Sequence, residues 1–130
     1  MGPVVLDLLG ILEDNSIGVI GTDIFGDKEP EKPDDCITIY VYNSIPTNCF
    51  VGLEPERYNF QVRVRSKVFV DGHNTMDAIR ALIAKQTFTL GSPQNTEMKI
   101  GETSLPLNLQ QDAKNRHILV MNFNLLRYTV

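Results

Sequence analysis

"YNFQVRVRSK", residues 58–67, alternates almost without error: Tyr58, Phe60, Val62 and Val64 against Asn59, Gln61, Arg63, Arg65 and Lys67. A period of two with one apolar face predicts a half-buried strand. Its other face carries two amides and three cations, which is unusual in a chain of net charge -4. Such a strand needs partners, and the chain supplies them on both sides. "CITIYVYN" (36–43) sets Ile37, Ile39 and Val41 against Thr38, Tyr40 and Tyr42, while "ILVMNFNLLRY" (118–128) lines up Leu119, Met121, Phe123 and Leu125. "EMKIGE" (97–102) reads as a short strand, and "IGVIGTDIF" (17–25) as another, weakened by Gly18 and Gly21.

Helical spacing occurs twice. Val5, Leu8, Leu9 and Leu12 recur at i, i+3, i+4 and i+7, which predicts an amphipathic helix over 3–14 that admits Pro3 in its first turn and stops at "NSIG". Met76, Ile79, Leu82 and Ile83 form a second stripe, predicting a helix over 75–86 after a "DGHN" turn, with Asn74 or Thr75 as cap. Val68 and Val70 are in phase with Val62 and Val64 and extend the predicted strand to residue 70. "GDKEPEKPDD" (26–35) holds nothing that packs a core and reads as a solvated acidic loop. "GSPQN" (91–95) reads as a turn, and 103–116 as a polar connection. The sum is α+β: an antiparallel-dominated β-sheet with both helices on one face. At 130 residues the chain is expected to form a single domain, 1–130.

Several function classes lose support. An acidic chain is not a typical duplex-binding protein. No apolar run approaches the roughly 20 residues of a membrane span, and "MGPVVLDLLGILED" lacks the basic start of a secretory signal. Cys36 and Cys49, without metal-ligand spacing, read as ordinary thiols of a reducing compartment. His73 and His117 have no local signature for nucleophilic catalysis. Asp34, Asp35 and Cys36 are crowded in a Pro-rich loop, Glu54 and Glu56 flank Pro55, and no Walker or GxGxxG pattern occurs. Neither catalytic residues nor a cofactor or metal are expected. Function then rests on surfaces. The row Arg63, Arg65, Lys67 is either a solvated face that discourages edge pairing or a contact for carboxylates or phosphates.

The segment order, with "VLDLLGILED", "EPEKPDDCITIYVYN", "FQVRVRS", "NTMDAIRALIAK" and "RHILVMNFNLLRY", resembles the minor capsid and tail terminator proteins of long-tailed bacteriophages, the small head–tail joining subunits. The resemblance spans nearly the whole chain, although 43–57 lacks the glycine pair expected there. It implies a structural, non-enzymatic virion protein at the head–tail junction, assembled in the host bacterial cytoplasm. Its implied partners are further copies of itself in a ring, commonly hexameric, the tail tube protein, head connector proteins, and phage DNA passing through without sequence-specific contact. No membrane is involved. On that reading Arg63, Arg65 and Lys67 are expected to meet the loop carboxylates Asp27, Glu29, Glu31, Asp34 and Asp35 of a neighbouring subunit. The alternatives are a nucleic-acid-binding module built on the same cations, and a small enzyme using His73 or His117.

Overall fold

The computed structural model describes residues 3–46, 56–90, 96–109 and 111–129. Helix α1, Val4–Asp14, is followed by strands β1, Ile24–Gly26, β2, Cys36–Pro46, and β3, Glu56–Ser66. Helix α2, Phe69–Ile83, leads to β4, Thr87–Leu90, β5, Thr96–Glu102, β6, Leu107–Leu109, and β7, His117–Thr129. The sheet runs β1-β2-β3-β7-β5-β4, with β6 also on β7. Among the strand pairings of the described residues, only β1–β2 is parallel. This is the expected α+β architecture.

The quoted strand lies at the centre. Its Phe60 pairs with Phe123 and Val41, Val62 with Met121 and Ile39, and Val64 with Leu119 and Ile37. Paired residues share a face, so these side chains make one apolar surface, with the Phe60 and Phe123 rings stacked at 5.1 Å. Both helices bury their stripes there: Val4, Leu8, Leu9, Ile11 and Leu12 from α1, and Met76, Ile79 and Ile83 from α2. Close approach is permitted by two glycines. A Cβ on Gly26 would come within 2.8 Å of Val5 on α1, and one on Gly72 of α2 would come within 3.0 Å of Leu119.

Three boundaries differ from expectation. Helix α2 starts at Phe69 rather than residue 75, and β3 stops at Ser66 rather than running through Val70. The Ser66 hydroxyl accepts from the Val68 amide (3.2 Å) and donates to the Val68 carbonyl (2.9 Å), turning the chain out of the sheet. Asp71 then sits in the positive first turn of the helix. Val68 and Val70, in strand phase by sequence, become exposed. Secondly, α2 ends at Ile83, where Ala84 is extended and Lys85 is left-handed at φ 58°. Thirdly, the 17–25 stretch is mostly irregular, with a turn at 21–23, and strand begins only at Ile24. Strands β4 and β6 were not expected at all. The 91–95 turn falls outside the described residues.

Ile79 is fully buried and Leu82 only partly so. Ile79→Ala is therefore expected to cost about 2–5 kcal/mol, and Leu82→Ala distinctly less. Chemical denaturation of both variants checks the order; the reverse order would mean α2 is rotated about its axis.

Candidate functional site

The face of the sheet away from the helices carries the cations, and there the acidic loop lies down on its own subunit. Tight connections set its ends. The Asp27 amide donates to the Ile39 carbonyl (2.8 Å), prolonging β1, and the Lys67 amide donates to Asp35 Oδ1 (2.9 Å). Arg65 stands between them and is only 4% exposed. Its guanidinium donates to the carbonyls of Glu31 (3.3 Å), Pro33 (2.6 Å) and Asp34 (3.2 Å), and to Glu29 Oε1 (3.3 Å). Three of those four acceptors are backbone, so Arg65 holds the course of the chain more than its charges.

The remaining cations complete the clamp. Arg63 Nε lies 2.9 Å from Glu29 Oε2, and Lys67 Nζ lies 3.3 Å from Asp34 Oδ2. From the start of β7 comes Arg116, equally buried, which donates to the Glu31 carbonyl (2.8 Å), Asp112 Oδ2 (2.7 Å) and Asp34 Oδ1 (3.4 Å). Two buried guanidiniums thus converge on the carbonyl of Glu31, whose carboxylate pairs with Lys114.

The expectation of a ladder on a solvent-facing surface needs correction at Arg65. Alternation places it on the second face, but Cys36 and Ile118 flank it in register and the loop covers it. Residues Asp27, Lys28, Glu31, Lys32, Pro33 and Asp35 are exposed, as the composition requires, while the loop's inner side is fastened. The carboxylates that meet the ladder come from the same chain. Asp27 stands apart from them, its Oδ1 accepting from the Val41 amide at 3.3 Å.

Electrostatics follow the geometry. Glu31 is held below the ordinary carboxylate range by the Lys114 hydrogen bond and charge, which outweigh desolvation and are aided by Arg116 and Arg65. For Asp34 desolvation is the largest influence and acts upward, yet Lys67 and Arg116 together bring it down. Asp112 is lowered first by the Arg116 backbone amide and then by its side chain. Burial pushes the Cys36 thiol up, which makes it a poor nucleophile.

Arg127 and Arg80 had no place in the sequence reading, yet they fasten the helix side. Arg127, in phase with Phe123 and Leu125, is 3% exposed. It pairs with Asp7 of α1 (2.9 Å) and Glu56 of β3 (3.1 Å), and lies 5.7 Å from the Tyr58 ring. Arg80 of α2 forks onto Glu102 of β5 at 3.1 and 3.3 Å. A charged residue in an apolar phase signals a buried pair, so Arg127 could have been found. Arg116 and Arg80 carried no such mark.

The other residues weighed for chemistry are accounted for separately. His73 faces Asp77 at 3.2 Å along α2, and the His117 ring lies against Phe69 with Nε2 at 3.0 Å from Gln111. Glu56 is engaged by Arg127; Glu54 and Cys49 lie outside the described residues. Among the described residues no group of three His, Cys, Asp or Glu side chains is placed to hold a metal ion.

Guanidiniums here brace one loop and two helix–sheet junctions, those of Arg65, Arg116 and Arg127 buried and that of Arg80 partly exposed, which is the make-up of a structural component. The family described as bacteriophage tail terminator protein matches residues 11–129, and the chain belongs to it. This is a structural family of the phage virion, whose members act with other tail and head proteins. No curated protein matches the chain.

Arg65→Ala would strand three loop carbonyls and Glu29, and is expected to cost about 3–5 kcal/mol; Lys67→Ala, exposed, is expected to stay within about 0.5 kcal/mol. Equal losses from the two, measured by denaturant titration, would mean the loop is not held as described. The lowered carboxylates also set a pH dependence. Their folded values lie below the unfolded ones, so their stabilisation is present above about pH 4. It is lost as pH falls through the depressed folded values. The melting temperature is expected to drop below about pH 4, less steeply in Asp34→Asn; an identical slope would remove Asp34 from the account.

Proposed function

We propose that this chain is the ring-forming tail terminator subunit that closes the finished tail tube and presents it to the DNA-filled head. The family match over 11–129 carries the reading. A closed ring, with six copies as its expected size, gives a tube one defined end without any catalytic step. Net charge of -4 suits a collar around a DNA passage, because a repulsive wall lets DNA slide without binding.

The cations first expected at a subunit boundary act from behind it on this reading. Arg63, Arg65 and Lys67 fasten the loop, and its outer rim, with Asp27, Glu31 and Asp35 exposed, is the surface offered to a neighbour or to the tail tube. Phosphates compete poorly for cations already paired in the chain. Oligonucleotides are accordingly expected to run unretarded at low salt. Retardation that falls steeply with salt would favour the nucleic-acid module instead.

Deleting the gene from its phage and supplying the chain in trans tests the function. Deletion is expected to leave tails without a controlled end and heads without tails, with both defects repaired by the supplied chain. Joined particles with tails of normal length in the deletion would contradict it.

A further inference from the structure

Two surface features have no use in the subunit's own fold. The first is a concavity of about 410 Å³ on the sheet face away from the helices. Register sets Asn59, Asn124 and Gly101 in one row, and Arg57, Leu126 and Lys99 in the next. Gly101 keeps the floor low, since a Cβ there would fall 2.5 Å from Asn124 Oδ1. Arg57 and Lys99 are exposed, and among the described residues no carboxylate lines the hollow. Among the described residues Arg57 has no ion-pair partner, and Lys99 has only the Tyr128 ring at 5.8 Å.

The second is the turn between α1 and β1. Val19 and Ile20 stand out at 54% and 40% exposure. Their amides are fastened to Asp23 Oδ1 (2.6 Å) and Glu13 Oε2 (2.8 Å), so the knuckle's course is set by the subunit's own side chains. Helix α1 ends in Glu13 and Asp14 with no basic residue in its last turn. Carboxylates at that end oppose the helix dipole; Glu13 is used to hold the Ile20 amide, whereas no side-chain partner is seen for Asp14 among the described residues.

We propose that the Val19–Ile20 knuckle of one copy, collared by Glu13, Asp14 and Asp23, seats in the Arg57–Lys99 hollow of the next copy. The shapes are convex and concave, the charges are opposite, and Leu126 offers an apolar floor. The knuckle lies by edge strand β1, whereas the hollow spans β3, β7 and β5, with β2 between them. Unlike patches on different parts of one subunit make a head-to-tail contact, the kind that closes into rings. Opposite charge steers the encounter and fixes its register. The inference rests on the ring reading above and names its contact.

Reciprocal charge exchange, read by sedimentation velocity over a concentration series, tests it. The exposed pair Arg57→Glu/Lys99→Glu makes an acidic hollow, and Asp14→Lys/Val19→Lys a cationic knuckle, neither touching the two side chains that fasten the turn. Each variant alone is expected to associate at least tenfold more weakly than the parent chain, and an equimolar mixture to recover assembly. Melting curves confirm folding. Should the acidic-hollow variant not fold, Arg57→Gln/Lys99→Gln replaces it, with the same tenfold weakening expected. Parent-like assembly by a folded variant, or no recovery on mixing, would overturn the contact while leaving the ring intact. A parent chain that remains monomeric in solution and on tube ends would overturn the ring, and the contact with it.

Discussion

The guanidinium of Arg65, buried between a loop and a sheet, constrains the rest of the second face. A desolvated cation is costly unless its donors are all engaged. Here the acceptors are mostly backbone carbonyls of residues 31–34, reached within 2.6–3.3 Å. Those carbonyls can meet it only if the loop takes one course. Arg116, sharing the Glu31 carbonyl, fixes the same course from the residue just before β7. The ladder thereby converts a Pro-rich, highly charged segment into an ordered wall. It covers the half of the face around Arg63 and Arg65 and leaves the half around Asn59 and Gly101 open.

The helix face is governed by a similar device in a different place. Apolar burial supplies the driving force, but it is non-directional; Arg127 and Arg80 supply direction. Arg127 joins α1 to β3 at one end of the sheet, and Arg80 joins α2 to β5. A subunit braced in this way suits a role in which the chain transmits contacts without rearranging. It is also consistent with membership of a structural phage family.

Much of this was legible in residues, and the omissions have physical causes. The central strand, its two antiparallel neighbours and both helical stripes followed from spacing, because a sheet with one buried face imposes its period. The start of α2 did not. Val68 and Val70 stay in strand phase, and only the Ser66 side chain, returning to the Val68 backbone, breaks the run. Strand β6 was missed because Leu107 and Leu109 are exposed beside polar residues, so its pairing with β7 leaves no amphipathic mark. Ladder and loop are legible in the sequence as complementary charges. Whether they meet within one chain or between two depends on parallel pairing of β1 with β2, which carries the loop back over β3. Composition does not encode that register.

Zero-length carbodiimide coupling in an equal mixture of light and 15N-labelled chains, allowed to assemble, tests the intramolecular clamp most directly. Lys67 lies 3.3 Å from Asp34, and Lys114 contacts Glu31, so both pairs are within coupling reach. Mass spectrometry of the coupled peptides is expected to find each pair wholly light or wholly heavy. Mixed light–heavy peptides at the statistical proportion would show that the loop reaches a neighbour, and that the clamp belongs to the assembly rather than to the subunit.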